Sequence, residues 1–415
     1  MCGFRPCKIR YGAVAGMLAI FLLSATGIPA AGAVEYGADL RQNVLVMSWP
    51  ESGSPLLPEG SFGVSESRSR IHAILRGISY TFTAAVETGA GFSSSTENLS
   101  SGGGLFSQSQ PLELWNLTVH HIENKTTTLA TRVERFDIRW TRGRWDIHAG
   151  RQPVSLGTSH FVGILDILAP FAPGNLDATY KPGIDVIRVR RGFGISGEAE
   201  LIAAGAHHGN GALLGRVRHS YRGFDFEWVG GRFRHRGFGG VGWEGEIFES
   251  VFWGELALFE HRPDAEQNFG GNKDVAFSGV AGMDLNLPDR FKLGVSGMYQ
   301  DFGVRDPEDL SAAYAGAPFR EGWLFLASAG YGVITLHREL HPLVQGDLAG
   351  IVNLVDGSAI YQPRITISSG NNSDLSFYGW AGTGRLPAAS GTTVRIRSEF
   401  GGTPRGGGFY ARWFF

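Results

Sequence analysis

The sequence predicts an all-β fold: a transmembrane, antiparallel up-and-down β-barrel of about 16 to 18 strands, following a cleaved signal peptide. Apolar and charged residues alternate along many short runs, as they do where one strand face meets lipid and the other meets water. Glycine is abundant, at 61 of 415 residues, which suits tight turns and lumen-facing strand positions better than helices. After residue 33, no apolar run is long enough for a membrane helix.

The N-terminal residues have the organisation of a secretory signal peptide. A basic start, an apolar core and a small-x-small site follow one another: Arg5, Lys8 and Arg10, then residues 13–23, then residues 31–33. We therefore predict removal of residues 1–33 and a barrel over residues 34–415. Cys2 and Cys7 both lie in the removed part, so the mature chain would have neither a disulfide nor a thiolate metal ligand.

The charge of the mature chain argues against a nucleic-acid partner. The signal segment carries three of the 37 basic residues and none of the 39 acidic ones, which leaves a formal charge of −5. A general basic surface is therefore absent from the sequence.

Residues 132–152 predict a β-hairpin with a turn at Arg142 and Gly143. The two predicted strands each have an apolar face and a charged face: Phe136, Ile138, Trp140, Trp145, Ile147 and Ala149 on the first, and Arg135, Asp137, Arg139, Asp146 and His148 on the second. Lipid outside and water inside a barrel would produce this division. Trp140 and Trp145 lie beside the turn, where an interfacial aromatic belt is expected.

The connection over residues 156–183 is apolar but has no strand pattern, and Pro170 and Pro173 prevent a long regular element. Apolar side chains of this kind need other protein surface to cover them. We expect the segment to fold into the barrel and narrow it, carrying Asp166, Asp177 and Lys181 to the constriction. A loop packed over the rim or at a subunit contact would bury the same side chains and stays an alternative.

The alternating pattern recurs further along the chain, at residues 184–190 and 393–400. If the polar faces point inward, the lumen is lined by Arg135, Asp137, Arg139, Asp146, His148, Arg188, Arg190, Arg395, Arg397 and Glu399. Short turns alternate with longer connections, as in outer-membrane barrels. The pattern miscounts one strand between residues 321 and 400, with residues 394–400 as the candidate, so we predict only an even number, 16 or 18.

The C-terminal residues form a strand with one continuous apolar face, made by Phe409, Ala411, Trp413 and Phe415. This ending resembles the assembly signal of Gram-negative outer-membrane proteins, which finish in Phe or Trp with apolar residues at alternate positions. The resemblance implies the outer membrane and its barrel-assembly machinery. The Gly150-Arg151-Gln152 strand end and the loop after it also resemble, loosely, a porin-like group.

The sequence offers little that would support catalysis. The stretch over residues 192–197 matches a dinucleotide-binding pattern, but a strand rather than a helix follows it. Residues 207–211 resemble a His-x-Ser-Asn-Gly stretch of outer-membrane phospholipases, with Gly209 in place of the nucleophilic serine. The adjacent pairs at 120–121 and 207–208 point to opposite strand faces and suit no bidentate metal site. We expect no enzyme activity, catalytic residue, metal or cofactor.

These observations predict a porin-like channel of the cell outer membrane for passive diffusion of small hydrophilic solutes. Its surroundings would be outer-membrane lipid and lipopolysaccharide, and an oligomer is compatible with the sequence. The alternative is a barrel that serves as the sheath or exporter of a larger envelope complex, for example in exopolysaccharide export or as an electron conduit.

Overall fold

A computed structural model describes residues 33–50, 59–95, 112–174, 179–206, 210–260, 274–320, 324–390 and 393–415. The described part is a closed antiparallel barrel of 18 strands, which confirms the predicted 16 to 18. Apart from strands it contains short helices such as Leu310–Tyr314 and Ala317–Arg320. No described helix has the length and apolar character needed to cross a membrane. Except for Ala33, the predicted signal peptide lies outside the described residues.

In chain order the strands are β1 Ala33–Ser48, β2 Ser61–Arg76, β3 Tyr80–Ser93, β4 Thr118–Glu123, β5 Thr127–Arg142, β6 Trp145–Gln152, β7 Ile184–Phe193, β8 Gly197–Ala204, β9 Ala212–Tyr221, β10 Phe224–Phe233, β11 Arg236–Ile247, β12 Ser250–Glu260, β13 Val275–Leu287, β14 Phe291–Gln300, β15 Gly330–His341, β16 Val344–Asn353, β17 Ala359–Gly370, β18 Ser373–Thr383, β19 Ala388–Ser390, β20 Thr393–Arg395 and β21 Arg405–Phe414. Three of them lie outside the barrel wall. The short strand β4 pairs with β5 beyond the end of β6, and β19 pairs with β20 in a separate hairpin.

The barrel closes between β1 and β21, which pair antiparallel from Asp39 opposite Phe414 to Ser48 opposite Arg405. On their other sides, β1 pairs with β2 and β21 pairs with β18. Closure leaves the wall without a free sheet edge. Backbone donors and acceptors along the strands are then paired within the wall, as a lipid environment requires.

The two ends of the barrel differ in the length of their connections. One end, here the turn end, has turns of two or three residues, such as residues 143–144, 222–223 and 342–343. The opposite end, here the loop end, has long connections such as residues 153–183 and 301–329. One loop-end connection is short, because β10 and β11 are joined by only Arg234 and His235. In outer-membrane barrels the short turns face the periplasm.

The hairpin predicted from residues 132–152 is present as β5 and β6, with its turn one residue later than predicted, at residues 143–144. Ile138, Trp140 and Trp145 are exposed on the outer face. Arg135 and Asp137 are buried on the inner face of β5. The two tryptophans flank the turn at the boundary predicted for the aromatic belt.

The strand expected over residues 394–400 is wrong, and its removal corrects the strand count. These residues belong to the loop-end connection between β18 and β21, and of them only residues 394 and 395 are part of a strand, β20. Arg395 and Arg397 therefore do not lie on a wall strand. The alternation misled because a short hairpin at a surface has the same period of two as a spanning strand. Glu399 is buried below this hairpin, where its carboxylate accepts hydrogen bonds from the Tyr331 hydroxyl, 2.5 Å away, and the Ala327 N–H, 2.7 Å away.

Candidate functional site: the lumen and its inner loop

The connection between β6 and β7 folds into the barrel, and we call residues 153–183 the inner loop; residues 175–178, which include Asp177, lie outside the described residues. The carboxylate of Glu255, on the inner face of β12, accepts hydrogen bonds from four backbone N–H groups of the inner loop. Oε1 accepts from Thr158 at 2.6 Å and Ser159 at 2.7 Å, and Oε2 accepts from Ile164 at 2.6 Å and Leu165 at 3.0 Å. The carboxylate holds both limbs of a tight loop against one strand.

Neighbouring strands of the same wall hold the inner loop as well. The N–H of Gly157 donates to Glu227 Oε1 on β10 at 2.7 Å. Leu165 is fully buried against β11, where a Cβ on Gly240 would lie 2.3 Å from its Cδ2. Only glycine at that position allows the leucine to approach so closely.

His160 extends the attachment to β11 and β13. Its Nδ1 bonds the carboxylate of Asp284, and its Nε2 lies 3.3 Å from Glu244 Oε1. The imidazole also packs on the Trp253 ring, with 5.2 Å between centroids. An imidazole placed between two carboxylates links the tip of the inner loop to the wall at both ring nitrogens.

The two described charged residues predicted for the constriction, Asp166 and Lys181, contact each other within the inner loop. Lys181 Nζ lies 2.5 Å from both carboxylate oxygens of Asp166. Burial raises the pKa of Asp166 and lowers the pKa of Lys181, so each charge depends on the other. The Lys181 carbonyl accepts a hydrogen bond from Arg135 on β5 at 2.6 Å.

The returning limb of the inner loop reaches the opposite wall. Arg412 on β21 donates to Thr179 Oγ1 at 3.0 Å. The Tyr180 ring lies 4.2 Å from the guanidinium of Arg70 on β2 and 5.0 Å from that of Arg41 on β1. The inner loop therefore extends across the lumen from β10–β13 to β1, β2 and β21.

Comparison with known proteins adds information on the fold. Neither a family model nor a curated protein matches the sequence. Among solved structures, Acinetobacter baumannii OccAB4 is similar, with a TM-score of 0.55 and 7% identity over 93% of this chain and 98% of that chain. Pseudomonas aeruginosa OccK5 (OpdH) has a TM-score of 0.54 and 8% identity, over 92% and 98%. A. baumannii OccAB1 has a TM-score of 0.55 and 11% identity, over 92% and 96%.

The chain has the fold of outer-membrane porins. At these identities the likeness establishes the fold, and the role of individual residues rests on the geometry of this chain.

Seven of the ten residues predicted to line the pore lie on the inner faces of β5, β6 and β7, and they form ion pairs or hydrogen bonds there. The pairs are Arg139 with Asp146 at 2.7 Å, His148 with Asp137 at 2.5 Å, Arg188 with Glu200 at 2.7 Å, and Arg190 with Glu198 at 3.3 Å, while Arg135 contacts Glu134 at 2.9 Å. Arg395, Arg397 and Glu399 lie elsewhere, in the connection described above. The expected lumen surface of β5–β7 is thus a ladder of opposite charges.

Sequence reasoning missed several charged residues of the inner face. They are Asp39 and Arg41 on β1, Arg70 on β2, Arg216 on β9, Glu244, Glu255 and Asp284 on β11–β13, and Asp347, Arg364, Asp374 and Arg412 on β16–β18 and β21. The same period of two that revealed β5 is present in β1 and β2, and applying it there would have found Arg41 and Arg70. No local pattern shows which residues face one another across a lumen.

A polar groove of about 330 Å³ lies between the inner loop and the wall formed by β16–β18 and β21. Thr179 borders it on the loop side, and Asp347, Arg364, Asp374 and Arg412 border it on the wall side. The groove has the mixed charge and hydrogen-bonding capacity that hydrated solutes need.

Within the described part of the chain, no three His, Cys, Asp or Glu side chains are grouped so that they could hold a metal ion. Residues 207–209 of the phospholipase-like stretch lie outside the described residues.

Proposed function

We propose that the protein is an outer-membrane channel through which small hydrophilic solutes diffuse passively, and that it catalyses no reaction. The polar groove between the inner loop and the β16–β21 wall is the observation that carries the proposal. A barrel of 18 strands is wide enough for an aqueous lumen. The inner loop crosses that lumen and would act as its constriction, with the Asp166–Lys181 pair and Asp177 as constriction residues.

The charged wall supports polar rather than apolar solutes. Arg139, Asp146, His148, Arg188 and Arg190 would line the passage as paired groups, whereas Arg135 and Asp137 would support them from buried positions in the wall. Carboxylates are concentrated on β10–β13, and guanidinium groups lie opposite them on β1, β2 and β21. Opposed charges across a pore orient water and dipolar solutes, while an apolar solute gains nothing from them.

The membrane context of this proposal includes processing and assembly. Residues 1–33 would direct secretion and be removed. Phe409, Ala411 and Trp413 share the outer face of β21, where they lie opposite Val44, Gln42 and Leu40 of β1, and Phe415 directly follows the strand. There they would contact lipid and serve as the signal for the barrel-assembly machinery. The loop end would face lipopolysaccharide, and the chain would act alone or as an oligomer.

Planar-bilayer conductance of the mature chain, refolded in detergent, tests the channel. We expect steady openings in symmetric salt, and reversal potentials in a salt gradient would report the ion preference. A refolded barrel that migrates as a compact, heat-modifiable species but gives no current would contradict the proposal.

One observation favours a second candidate, the barrel component of a larger envelope complex. Buried apolar side chains of the inner loop, including Leu156, Ile167 and Leu168, pack in one cluster with inner-face residues such as Phe259 and Tyr331. Such a cluster occupies part of the lumen near the loop end. A silent but folded barrel that conducts once a partner is added would support this candidate.

A further inference from the structure

A cavity of about 440 Å³ lies between the inner loop on one side and, on the other, strands β12, β13 and β14 with residues 302 and 324–326 of the β14–β15 connection. Its volume falls in the range of sites that hold small molecules. Both connections that border it belong to the loop end of the barrel.

Aromatic rings dominate the apolar part of the cavity lining. Phe161 and Phe171 come from the inner loop, Phe259 from β12, and Phe302 and Phe325 from the connection between β14 and β15. The three from the wall and the β14–β15 connection are buried, whereas Phe161 and Phe171 are half-buried. Five phenylalanines from three parts of the chain offer ring faces and edges to a flat ligand, which prefers offset or edge-on contact with them.

The charged part of the lining is acidic. Asp166 and Glu255 border the cavity, and no lysine or arginine is among the described residues that do so. Lys181 offsets the charge of Asp166, and four N–H groups partly offset that of Glu255. The imidazole of His160, which also lines the cavity, brings Asp284 and Glu244 close behind it. Two more charged groups bond the backbone of the lining: Arg216 donates to the Ser155 carbonyl at 3.1 Å, and Glu227 accepts from the Gly157 N–H. Around the cavity there are then five carboxylates against one ammonium, one guanidinium and one imidazole, so the electrostatic field favours a cation.

We propose that this cavity binds a small organic cation that carries an aromatic ring. The ring packs among the phenylalanines, and the ammonium group lies toward the carboxylate side. An ammonium over an aromatic face is stabilised by the ring quadrupole, and more strongly where water is excluded. A carboxylate solute of the same size meets the same rings but the opposite field. This inference rests on the proposed channel function and names a class of solute for it.

Isothermal titration calorimetry of the full mature chain in detergent tests the site without requiring ion flow. The probes are 2-phenylethylammonium, phenylacetate and ethylammonium at equal ionic strength. We expect saturable binding of 2-phenylethylammonium, with phenylacetate and ethylammonium weaker on the order of tenfold or more. Binding of phenylacetate as tight as that of 2-phenylethylammonium, or no saturable binding of any probe, would overturn the proposal.

Variants of Phe171 locate the site. Phe171→Ala should weaken binding of 2-phenylethylammonium on the order of tenfold, and Phe171→Leu, which keeps apolar bulk, should still lose several-fold through the missing ring face. Phe377→Ala, on the outer face of β18, is the matched control and should bind as the parent does. Equal affinities for the Phe171 and Phe377 variants would refute the location.

Conductance in plain salt separates this inference from the channel function. A conducting barrel that does not bind 2-phenylethylammonium refutes the site alone. A barrel that binds the probe but carries no current refutes the channel alone.

Discussion

Replacement of Glu255 by glutamine should release the inner loop from the wall. The carboxylate accepts four backbone hydrogen bonds, two at each oxygen, between 2.6 and 3.0 Å. A glutamine keeps one carbonyl oxygen for two of the N–H donors but presents its NH₂ group to the other two. Two buried N–H groups then lack an acceptor, at about 1–3 kcal/mol each.

The expected weakening of loop docking is therefore about 2–6 kcal/mol, part of which relaxation of the loop would recover. Glu227, His160 and the packing of Leu165 still hold the segment, so the barrel should fold. The loop should instead exchange between docked and undocked positions.

Single-channel recording in planar bilayers measures that exchange. Glu255→Gln should show increased open-channel noise and transitions to a larger conductance, while the parent should give steady openings. Glu123→Gln is a suitable control, because Glu123 is exposed on β4, outside the barrel wall and away from the inner loop. If folded Glu255→Gln conducts with the amplitude and noise of the parent, the carboxylate does not hold the constriction.

Three further changes test other parts of the molecule. Deletion of residues 162–172 should raise single-channel conductance because it removes the part of the inner loop nearest the β10–β13 wall, and an unchanged conductance would exclude the loop as the constriction. Asp166→Asn leaves the Lys181 ammonium buried without its carboxylate and should destabilise the docked loop by about 3–5 kcal/mol. Limited proteolysis of the loop would detect this change. The double variant with Lys181→Met should recover protection from proteolysis, and failure to recover it would show that the pair has another role. Burial raises the pKa of Glu399 to about 7. Between pH 4.5 and pH 7 the folded protein therefore binds more protons than the unfolded chain, and its stability should fall as the pH rises. Thermal unfolding should show this decrease of stability with pH in the parent and a smaller decrease in Glu399→Gln, and equal decreases would mean that Glu399 does not titrate in this range.

Much of the wall could be predicted from the sequence, because alternation with a period of two is itself the condition for a strand between lipid and water. The hairpin of β5 and β6 illustrates this, since Arg135 and Asp137 were expected on the inner face and lie there. The same local rule misassigned Arg395 and Arg397. In a short surface hairpin, apolar and charged side chains also alternate, because any strand places successive side chains on opposite faces. Only the length of its strands, three residues each, shows that this hairpin cannot span a membrane.

The entry of the inner loop into the barrel was predicted from its apolar side chains, but its contacts were not. Glu255 lies about 90 residues after the N–H groups that donate hydrogen bonds to it. Which strand faces the inner loop depends on the curvature of the whole barrel wall. Glycines such as Gly240 make room for the loop, and nothing in the local sequence distinguishes them from the many other glycines. Long-range partners of this kind follow from closure of the barrel and not from pattern.

The inner loop also has a mechanical consequence. Its first limb is hydrogen-bonded to β12 through Glu255, and its returning limb contacts β21 and β2 through Arg412 and Arg70. The inner loop therefore connects opposite sides of the barrel wall. Flattening the barrel along that diameter would have to compress the loop or break those contacts. A wide, thin-walled cylinder under the lateral pressure of a bilayer is most easily deformed into an oval. The inner loop would thus also keep the cross-section of the barrel round.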